Sequence, residues 1–334
     1  MGKKVFKLLI IIILPLYLEA QLPDTTYAER LGFPNGSRVL ILHVDDAGMS
    51  FDSNEGAEKA LTLGASTSVS VMMPCPWVPG FVLFLKTHPE IDAGLHLTLT
   101  SEWKAYRWGP LSGRKNAPGL VDTGGYFWPD VEEVVKHASA EEVEMEMKAQ
   151  LDKARSMGFE PTHLDTHMGT VFGSTEFLMR YIRLGIQNHI PVMFPGGDDA
   201  LIQAQQHFPD AAIAQMRLLG KMLWNAGLPV LDDLHNYSYE WIIPADMATD
   251  DKKLDAYKTA KYIEALKSLK PGLTMMIMHC TDTGPEFKYI SDSGPTRKGD
   301  LLAMLNPAFK KAIADQGIIL ISWREVMQRR ERLR

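Results

Sequence analysis

Short apolar stretches alternate with helix-type patterns along most of the sequence, and this alternation limits the fold more than any other feature. Eight stretches have the length and residue content of strands: residues 38–44, 66–73, 91–99, 162–167, 191–194, 229–234, 273–279 and 318–322. Strands that are separated by helices pair in parallel, since each helix returns the chain to the same end of the sheet. The pattern predicts an α/β fold, a single (β/α) barrel of regular or irregular form with parallel strands and outer helices, rather than a doubly wound sheet.

Helical patterns lie between the predicted strands. They cover residues 54–63, 81–87, 139–157, 175–188, 211–226, 251–269 and 301–315, and a last helix follows at the carboxyl end. Ser139 and Glu142 form a capping-box pattern at the start of one helix. Residues 100–138 fit neither pattern and contain many glycines and prolines. We therefore expect one domain over residues 37–334, with a long loop inserted at about residues 100–138.

The first twenty residues have the pattern of a secretory signal peptide. Lys3, Lys4 and Lys7 precede an apolar stretch over residues 8–18, and Ala20 marks a cleavage point. The stretch is too short to cross a bilayer. We expect cleaved export to a periplasmic or extracellular location, no stable membrane insertion, and an N-terminal extension over residues 21–36. An uncleaved amino-terminal anchor is the alternative.

The charge balance and the cysteines limit the partners of the chain. Lys and Arg total 35 against 41 Asp and Glu, a formal net charge of −6. With no long basic run before the carboxyl end, we expect no nucleic-acid partner. Cys75 and Cys280 are too few for a disulfide framework, and the sequence leaves their pairing open. It also leaves the oligomeric state open, a homodimer included.

Carboxylates and imidazoles lie in or directly after several predicted strands. In a (β/α) barrel the active site lies at the carboxyl ends of the strands, so these residues are candidates for chemistry. They are Asp45, Asp46, His96, His163, Asp165, His167 and His279. Alternation places His163, Asp165 and His167 on one face of their strand, where an unpaired polar set would be costly. Turn caps or a buried hydrogen-bond network are the structural alternatives.

One aspartate and two histidines from different strands can hold a divalent cation with positions open for water and substrate. Such a cation lowers the pKa of bound water and polarises a carbonyl. Asp45 can take a proton from the water, and His279 can stabilise an intermediate or protonate the leaving group. The residues therefore indicate hydrolysis of an amide or an ester. Zinc and magnesium are both compatible with mixed oxygen and nitrogen ligands.

Four blocks of the sequence carry a family resemblance: HVDDAGMS (residues 43–50), GLHLTLT (94–100), PTHLDTHMG (161–169) and MHCTD (278–282). In order and spacing they are similar to the YdjC-like carbohydrate deacetylases, which include chitooligosaccharide deacetylase. The resemblance implies a (β/α)-barrel-like fold and removal of N-acetyl groups from a small amino-sugar substrate with one divalent metal ion. It implies that Asp46, His96 and His167 bind the metal, that Asp45 is the general base and that His279 assists the transition state or acts as the acid.

The sequence departs from the family pattern in two places. Many members continue the third block as a histidine-rich run, whereas Met168 and Gly169 follow His167 here. The usual His-Pro-Gly of the last block is His279, Cys280 and Thr281. A thiol nucleophile at Cys280 is disfavoured, since adjacent strand residues face apart and Cys280 would not meet His279.

We expect substrate contacts from residues around the metal site. The long loop follows His96 directly and holds aromatic residues that can stack on a sugar ring, or alternatively pack the loop onto the barrel. The candidates for substrate binding are Trp103, Trp108, Trp128, His163, Asp165 and Arg297, the last of which resembles a family feature.

Two other functions fit the same residues. One is a metal-dependent esterase or phosphoesterase, and the other is a carbohydrate-binding protein without catalysis. The pair Asp45 and Asp46 argues against the second, because a binding protein needs no base beside its ligand aspartate.

Overall fold

The computed structural model of the chain describes residues 25–333. These residues form the strands β1 (Arg38–Ala47), β2 (Ser68–Val71), β3 (Ala93–Leu97), β4 (Leu164–Thr166), β5 (Asp233–His235), β6 (Gly272–Met278) and β7 (Ile319–Leu320). The helices are α1 (Tyr27–Arg30), α2 (Phe51–Thr62), α3 (Val78–Thr87), α4 (Val131–His137), α5 (Ala140–Ser156), α6 (Thr175–Asn188), α7 (Ala200–Gln206), α8 (Asp210–Asn225), α9 (Asp251–Ser268), α10 (Gly294–Leu305), α11 (Pro307–Asp315) and α12 (Trp323–Glu331). None of these helices has the length and apolarity of a membrane span. The predicted signal peptide lies outside the described residues.

The strands form one curled parallel sheet in the order β4-β3-β2-β1-β6-β5, and β7 also pairs with β1. Isolated parallel bridges continue the ring from Leu164 to Val192 and from Pro195 to Leu231. The segment between these bridges thus joins β4 to the start of β5. Helices surround the strands, and the predicted (β/α) barrel with parallel strands is confirmed.

The strand predicted at residues 191–194 is wrong as a regular strand, because this segment forms only the two bridges. Pro191 and Pro195 have no N–H to donate, which removes two hydrogen bonds from the pairing on either side. The neighbouring strand, predicted at 229–234, is instead the short β5, Asp233–His235.

The helix boundaries follow local capping signals. The capping box of Ser139 and Glu142 is present at the start of α5, as predicted. The helix predicted at 301–315 is divided in two, because Pro307 cannot donate an N–H inside a helix and Asn306 caps α11 instead. Residues 100–138 contain α4 as well as irregular chain, with the Asp130 side chain accepting from the Glu133 N–H at its start.

The register of the strands brings the candidate residues together. Val44 of β1 pairs with Met278 of β6, so the residues that follow them, Asp45 and His279, leave the sheet side by side. His96 of β3 pairs directly with Asp165 of β4. Because all strands run in the same direction, these residues lie at the same end of the barrel.

The amino-terminal helix α1 is fixed to the opposite end of the barrel. The Asp232 carboxylate, just before β5, accepts hydrogen bonds from the backbone N–H groups of Tyr27 (2.8 Å), Ala28 (3.0 Å) and Leu273 (2.8 Å). Tyr27 and Ala28 are buried in the core. Part of the predicted N-terminal extension, residues 21–36, therefore packs against the amino ends of β5 and β6.

The buried carboxyl group of Asp199 predicts a pH-dependent stability. Neither of its oxygens has a hydrogen-bond partner, and burial, followed by the nearby Asp233 carboxylate, raises the pKa of Asp199 to about 8. An aspartate in the unfolded chain has a pKa of about 3.9. The contribution of protonated Asp199 to the free energy of unfolding is therefore fully present below the unfolded-state pKa. It is lost as the pH rises through the folded-state pKa.

We expect Asp199→Asn to remove this dependence, because asparagine stays neutral and tolerates the left-handed backbone at this position (φ 58°). Urea unfolding at roughly pH 5 and pH 9, on either side of the folded-state pKa, should show a larger gain in stability for the variant at the higher pH. The exposed Asp152→Asn serves as the control. An equal effect of Asp199→Asn at both pH values would contradict the assignment.

Candidate metal and catalytic site

The end of β1 carries two aspartates, Asp45 and Asp46, whose carboxylates both approach His96. The pairing of β1 with β2 shifts register between Val44 and Ala47, so Asp45 and Asp46 lie in an irregular stretch. Asp46 has a φ of 68°, a left-handed conformation that is unfavourable for a residue with a Cβ. The two side chains consequently do not alternate as in a regular strand. Both are buried at the carboxyl end of the barrel, and both approach His96.

Asp46, His96 and His167 form a compact set of potential metal ligands. Asp46 Oδ1, His96 Nε2 and His167 Nδ1 are each 3.3 Å from the other two atoms. Ligands at roughly 2.0–2.1 Å from a tetrahedral zinc ion are spaced by a similar distance. All three side chains are buried, and Asp46 Oδ1 has no hydrogen-bond partner. The donor set therefore fits a divalent cation.

The other ring nitrogen of each histidine contacts a carboxylate. His96 Nδ1 is 2.7 Å from Asp165 Oδ1, and His167 Nε2 is 3.1 Å from Glu102 Oε2. With a proton on each of these outer nitrogens, the inner nitrogens present lone pairs to the same point. Carboxylates in this position fix the ring orientation and raise the basicity of a metal-binding histidine.

The electrostatics of the set favour a positive charge. Burial lowers the pKa of His167, but the carboxylates of Glu102 and Asp46 outweigh burial and raise the pKa to about 9. The same opposition raises the pKa of His96, where the carboxylates of Asp45 and Asp165 outweigh burial. Burial raises the pKa of Asp46, yet the Arg297 guanidinium and the two imidazoles outweigh it and hold that pKa well below its usual range.

Arg297 fixes the second oxygen of Asp46. Its Nη1 is 2.7 Å from Asp46 Oδ2, and its Nε donates to Ser293 Oγ (2.8 Å). The guanidinium also lies over the rings of Trp103 and Tyr239, at 5.8 and 5.3 Å from their centroids. Arg297 thus occupies one side of Asp46 and leaves Oδ1 directed at the two histidines.

Asp45 lies beside the ligand set and is supported from the core. Its Oδ1 is 3.2 Å from His43 Nε2, and its Oδ2 is 3.8 Å from His96 Nε2. His43 is fully buried, within hydrogen-bond distance of Ser68 and Ser70, and its Nε2 is 2.8 Å from Asp165 Oδ2. Asp45 Oδ1 therefore lies against the His43 ring, while Oδ2 lies toward His96 and the ligand set.

His279 faces Asp45 from the end of β6. Its Nε2 is 3.9 Å from Asp45 Oδ2, and burial, the largest effect, lowers the pKa of His279. Its backbone N–H donates to Asp300 Oδ2 (3.0 Å), and Asp300 Oδ1 accepts from Lys258 Nζ and Tyr262 Oη, both at 2.7 Å. The buried ion pair of Asp300 and Lys258 thus holds the backbone at His279 in place.

The predicted substrate-binding residues separate into two groups. Arg297 binds Asp46 and lies over the Trp103 ring, and Trp108 packs edge-on to Trp103 and His167. His163, by contrast, is buried in the core and stacks on Trp323.

The remaining two candidates have partners inside the protein. Asp165 bridges His43 and His96. Trp128 stacks on His137 at 4.4 Å between centroids, and its indole N–H donates to the Gly119 carbonyl. Substrate binding by the six residues stays a prediction.

Sequence reasoning gave no role to three residues that support the site. His43 lies in the first sequence block but was not singled out, although its position two residues before Asp45 places both on one face of a strand. Glu102 follows the second block closely, and Lys258 lies on α9, far from every block. No sequence signal identifies Lys258, because only the packing of α9 against α10 brings it to Asp300.

The two cysteines are buried and unpaired. Burial raises the pKa of the Cys280 thiol well above its usual value, with the Asp300 carboxylate adding to the effect. Since the thiolate is the reactive form, Cys280 has the character of a structural residue beside His279.

Carbohydrate deacetylases are among the known proteins to which the chain is similar. The chain is 33% identical over 300 residues to a carbohydrate deacetylase of Thermus thermophilus, a match that covers 90% of this chain and 97% of the relative. It is 31% identical over 134 residues to a chitooligosaccharide deacetylase of Klebsiella pneumoniae, which covers 39% of this chain and 49% of the relative.

A solved structure from Enterococcus faecalis V583, provisionally named a cellobiose-phosphate cleavage protein, has the same fold. The superposition has a TM-score of 0.68 at 20% sequence identity and covers 87% of this chain and 99% of the other. The sequence pattern of the YdjC-like proteins matches residues 39–315, which include every predicted metal-binding and catalytic residue. The chain therefore belongs to the family of YdjC-like proteins.

Proposed function

We propose that the protein is a metal-dependent hydrolase that removes N-acetyl groups from a small amino-sugar substrate. The observation that carries this proposal is the triangle of Asp46 Oδ1, His96 Nε2 and His167 Nδ1 with 3.3 Å edges, next to a second carboxylate, Asp45, and an imidazole, His279. The name of the Thermus thermophilus relative, a carbohydrate deacetylase, supports the class of reaction.

Asp46, His96 and His167 would hold one divalent ion, zinc or magnesium. When bound, the ion lowers the pKa of a water molecule and polarises the amide carbonyl. Arg297 keeps the Asp46 carboxylate oriented, and the outer carboxylates of Asp165 and Glu102 keep the imidazoles oriented.

Asp45 and His279 would move the proton. Asp45 Oδ2, on the ligand side, would accept a proton from the attacking water, while Oδ1 lies 3.2 Å from His43 Nε2. Burial lowers the pKa of His279, which favours the neutral imidazole, and its Nε2 is 3.9 Å from Asp45 Oδ2. The imidazole can therefore take up that proton and deliver it to the leaving amine, which balances the hydrolysis.

The proposal extends to the location of the protein and its substrate contacts. Arg297, which binds Asp46, Trp103 beside it and Trp108 against His167 are the candidates for sugar contacts around the ligand set. The signal-peptide pattern of residues 1–20 supports export to a periplasmic or extracellular space.

Acetate release from N-acetylated chitooligosaccharides tests the reaction. The purified chain should release acetate as isolated or after addition of one divalent metal, lose this activity with a chelator, and regain it when that metal is restored. An enzyme that is equally active after complete metal removal would contradict the metal dependence. Absence of release with every metal tried would contradict the N-acetyl substrate.

Asp45→Asn should separate catalysis from metal binding. The substitution removes a proton acceptor, so we expect turnover to fall by roughly 10²–10⁴-fold, the usual contribution of a general base. Zinc affinity in a calorimetric titration should stay close to that of the unmodified chain, and the exposed Asp152→Asn should alter neither quantity. Full turnover by Asp45→Asn would refute its role as the base.

Glu102→Gln should weaken the metal site without removing a ligand. Loss of the carboxylate at His167 Nε2 is expected to lower metal affinity by about 10–100-fold. Glu160→Gln, which alters an exposed carboxylate paired with Arg155, is the matched control. Calorimetry with zinc measures both variants, and equal affinities would show that Glu102 does not orient His167.

A further inference from the structure

A cavity of about 280 Å³ adjoins the proposed catalytic residues. Asp45 and His279 lie in its wall, together with Thr166 at the end of β4. From there the wall continues along the segment that bridges β4 and β5 and along the helices α7 and α8. The cavity is therefore continuous with the space between the two residues that would flank a reacting amide.

Apolar side chains form most of the remaining wall. They include Phe172, Met193, Phe194, Met216, Leu234 and Ile277. Met193, Phe194 and Leu234 are at most 4% exposed, whereas the polar wall residues Gln205 and Glu240 are half-buried and exposed, respectively. The wall of the cavity is thus mostly apolar, and its buried polar atoms include Gln205 Oε1 and Asn236 Oδ1, which have no hydrogen-bond partner.

A sugar ring is a poor match for this interior. Every hydroxyl that leaves water needs a new hydrogen-bond partner, and the apolar side chains that form most of the wall supply none. The loop residues Trp103, Trp108 and Trp128, which were predicted to stack on sugar, do not line the cavity. Its occupant should therefore be an apolar group attached to the reacting carbonyl.

An acetyl group would leave most of the cavity unused. A methyl or methylene group occupies a volume comparable to that of a water molecule, roughly 30 Å³. The cavity of about 280 Å³ therefore has room for on the order of nine carbon atoms, of which an acetyl methyl supplies one.

We propose that this cavity binds the acyl chain of the substrate and that the protein removes N-acyl groups longer than acetyl from amino sugars. This inference rests on the proposed function, since the same amide C–N bond is broken. Water supplies the hydroxyl of the released fatty acid and the proton of the released amine. The cavity would determine which acyl length is preferred.

A series of glucosamine derivatives with acetyl, butanoyl, hexanoyl and octanoyl groups tests the inference. Release of free amine by the metal-loaded enzyme should show kcat/KM rising roughly fourfold per added methylene until the cavity is filled. Calorimetric binding of the same compounds to the protein without added metal should follow the same order, with a more negative heat-capacity change for longer chains.

Substitutions on α8 test whether the preference for longer acyl chains arises in this cavity. Ala212 lies in the cavity wall, and Ala212→Phe should lower the ratio of octanoyl to acetyl kcat/KM by about tenfold or more, which corresponds to the space of roughly two methylenes. The neighbouring Ala211 is exposed, so Ala211→Phe is the matched control and should leave the ratio unchanged. Leu219→Gln, a milder change in the wall, should lower the ratio in the same direction if Ala212→Phe fails to fold.

The outcomes distinguish this inference from the proposed function. Hydrolysis of N-acetylglucosamine derivatives with no gain, or a loss, for longer chains would overturn the inference and leave the proposed deacetylase in place. Failure to hydrolyse any N-acyl sugar with any metal would overturn both. A chain-length preference that Ala212→Phe and Leu219→Gln both leave intact would show that this cavity is not the acyl site.

Discussion

The left-handed backbone at Asp46 is the constraint on which the site depends. It turns a single carboxylate toward three positively polarised partners, His96, His167 and Arg297, which come from β3, the end of β4 and α10. Such a backbone costs about 1–3 kcal/mol, and the charge-assisted contact with buried Arg297 offsets it. The strain therefore serves to connect separate elements of the barrel at one point. Because the partners are held from several sides, Asp46 Oδ1, His96 Nε2 and His167 Nδ1 converge on one point.

Much of the fold could be predicted because buried parallel strands are continuous apolar runs in the sequence. β1 and β6 are long apolar runs that end at Asp45 and His279, and their positions follow from composition alone. The segment at 191–194 is equally apolar but carries prolines, and the resulting loss of N–H donors outweighed its strand-like composition. Helix division at Pro307 has the same origin. Errors arose where the hydrogen-bonding capacity of the backbone, rather than hydropathy, decided the structure.

The candidate site could be predicted only as far as its residues lie at strand ends. The register places Asp45, His96 and His279 together, as expected for a parallel barrel. The family resemblance indicated which residues would bind the metal. Support from Glu102 and Lys258 could not be predicted, since both come from segments whose position depends on tertiary packing. The mostly apolar cavity could not be predicted from the sequence either, because its wall combines residues of α7, α8 and the bridging segment. Sequence therefore indicated the reacting groups more readily than the surfaces that select a substrate.

The contact between α1 and Asp232 fixes the end of the barrel at which the amino-terminal helix lies. Tyr27 and Ala28 are bound at the amino ends of β5 and β6, whereas the ligand set lies at the carboxyl ends. Thr25, the first residue that the structure describes, consequently lies on the face away from the site. A linker joined at Thr25 in place of the residues before it would leave the catalytic face unobstructed, so such a protein can be immobilised on a solid support while large or insoluble substrates still reach the opposite face.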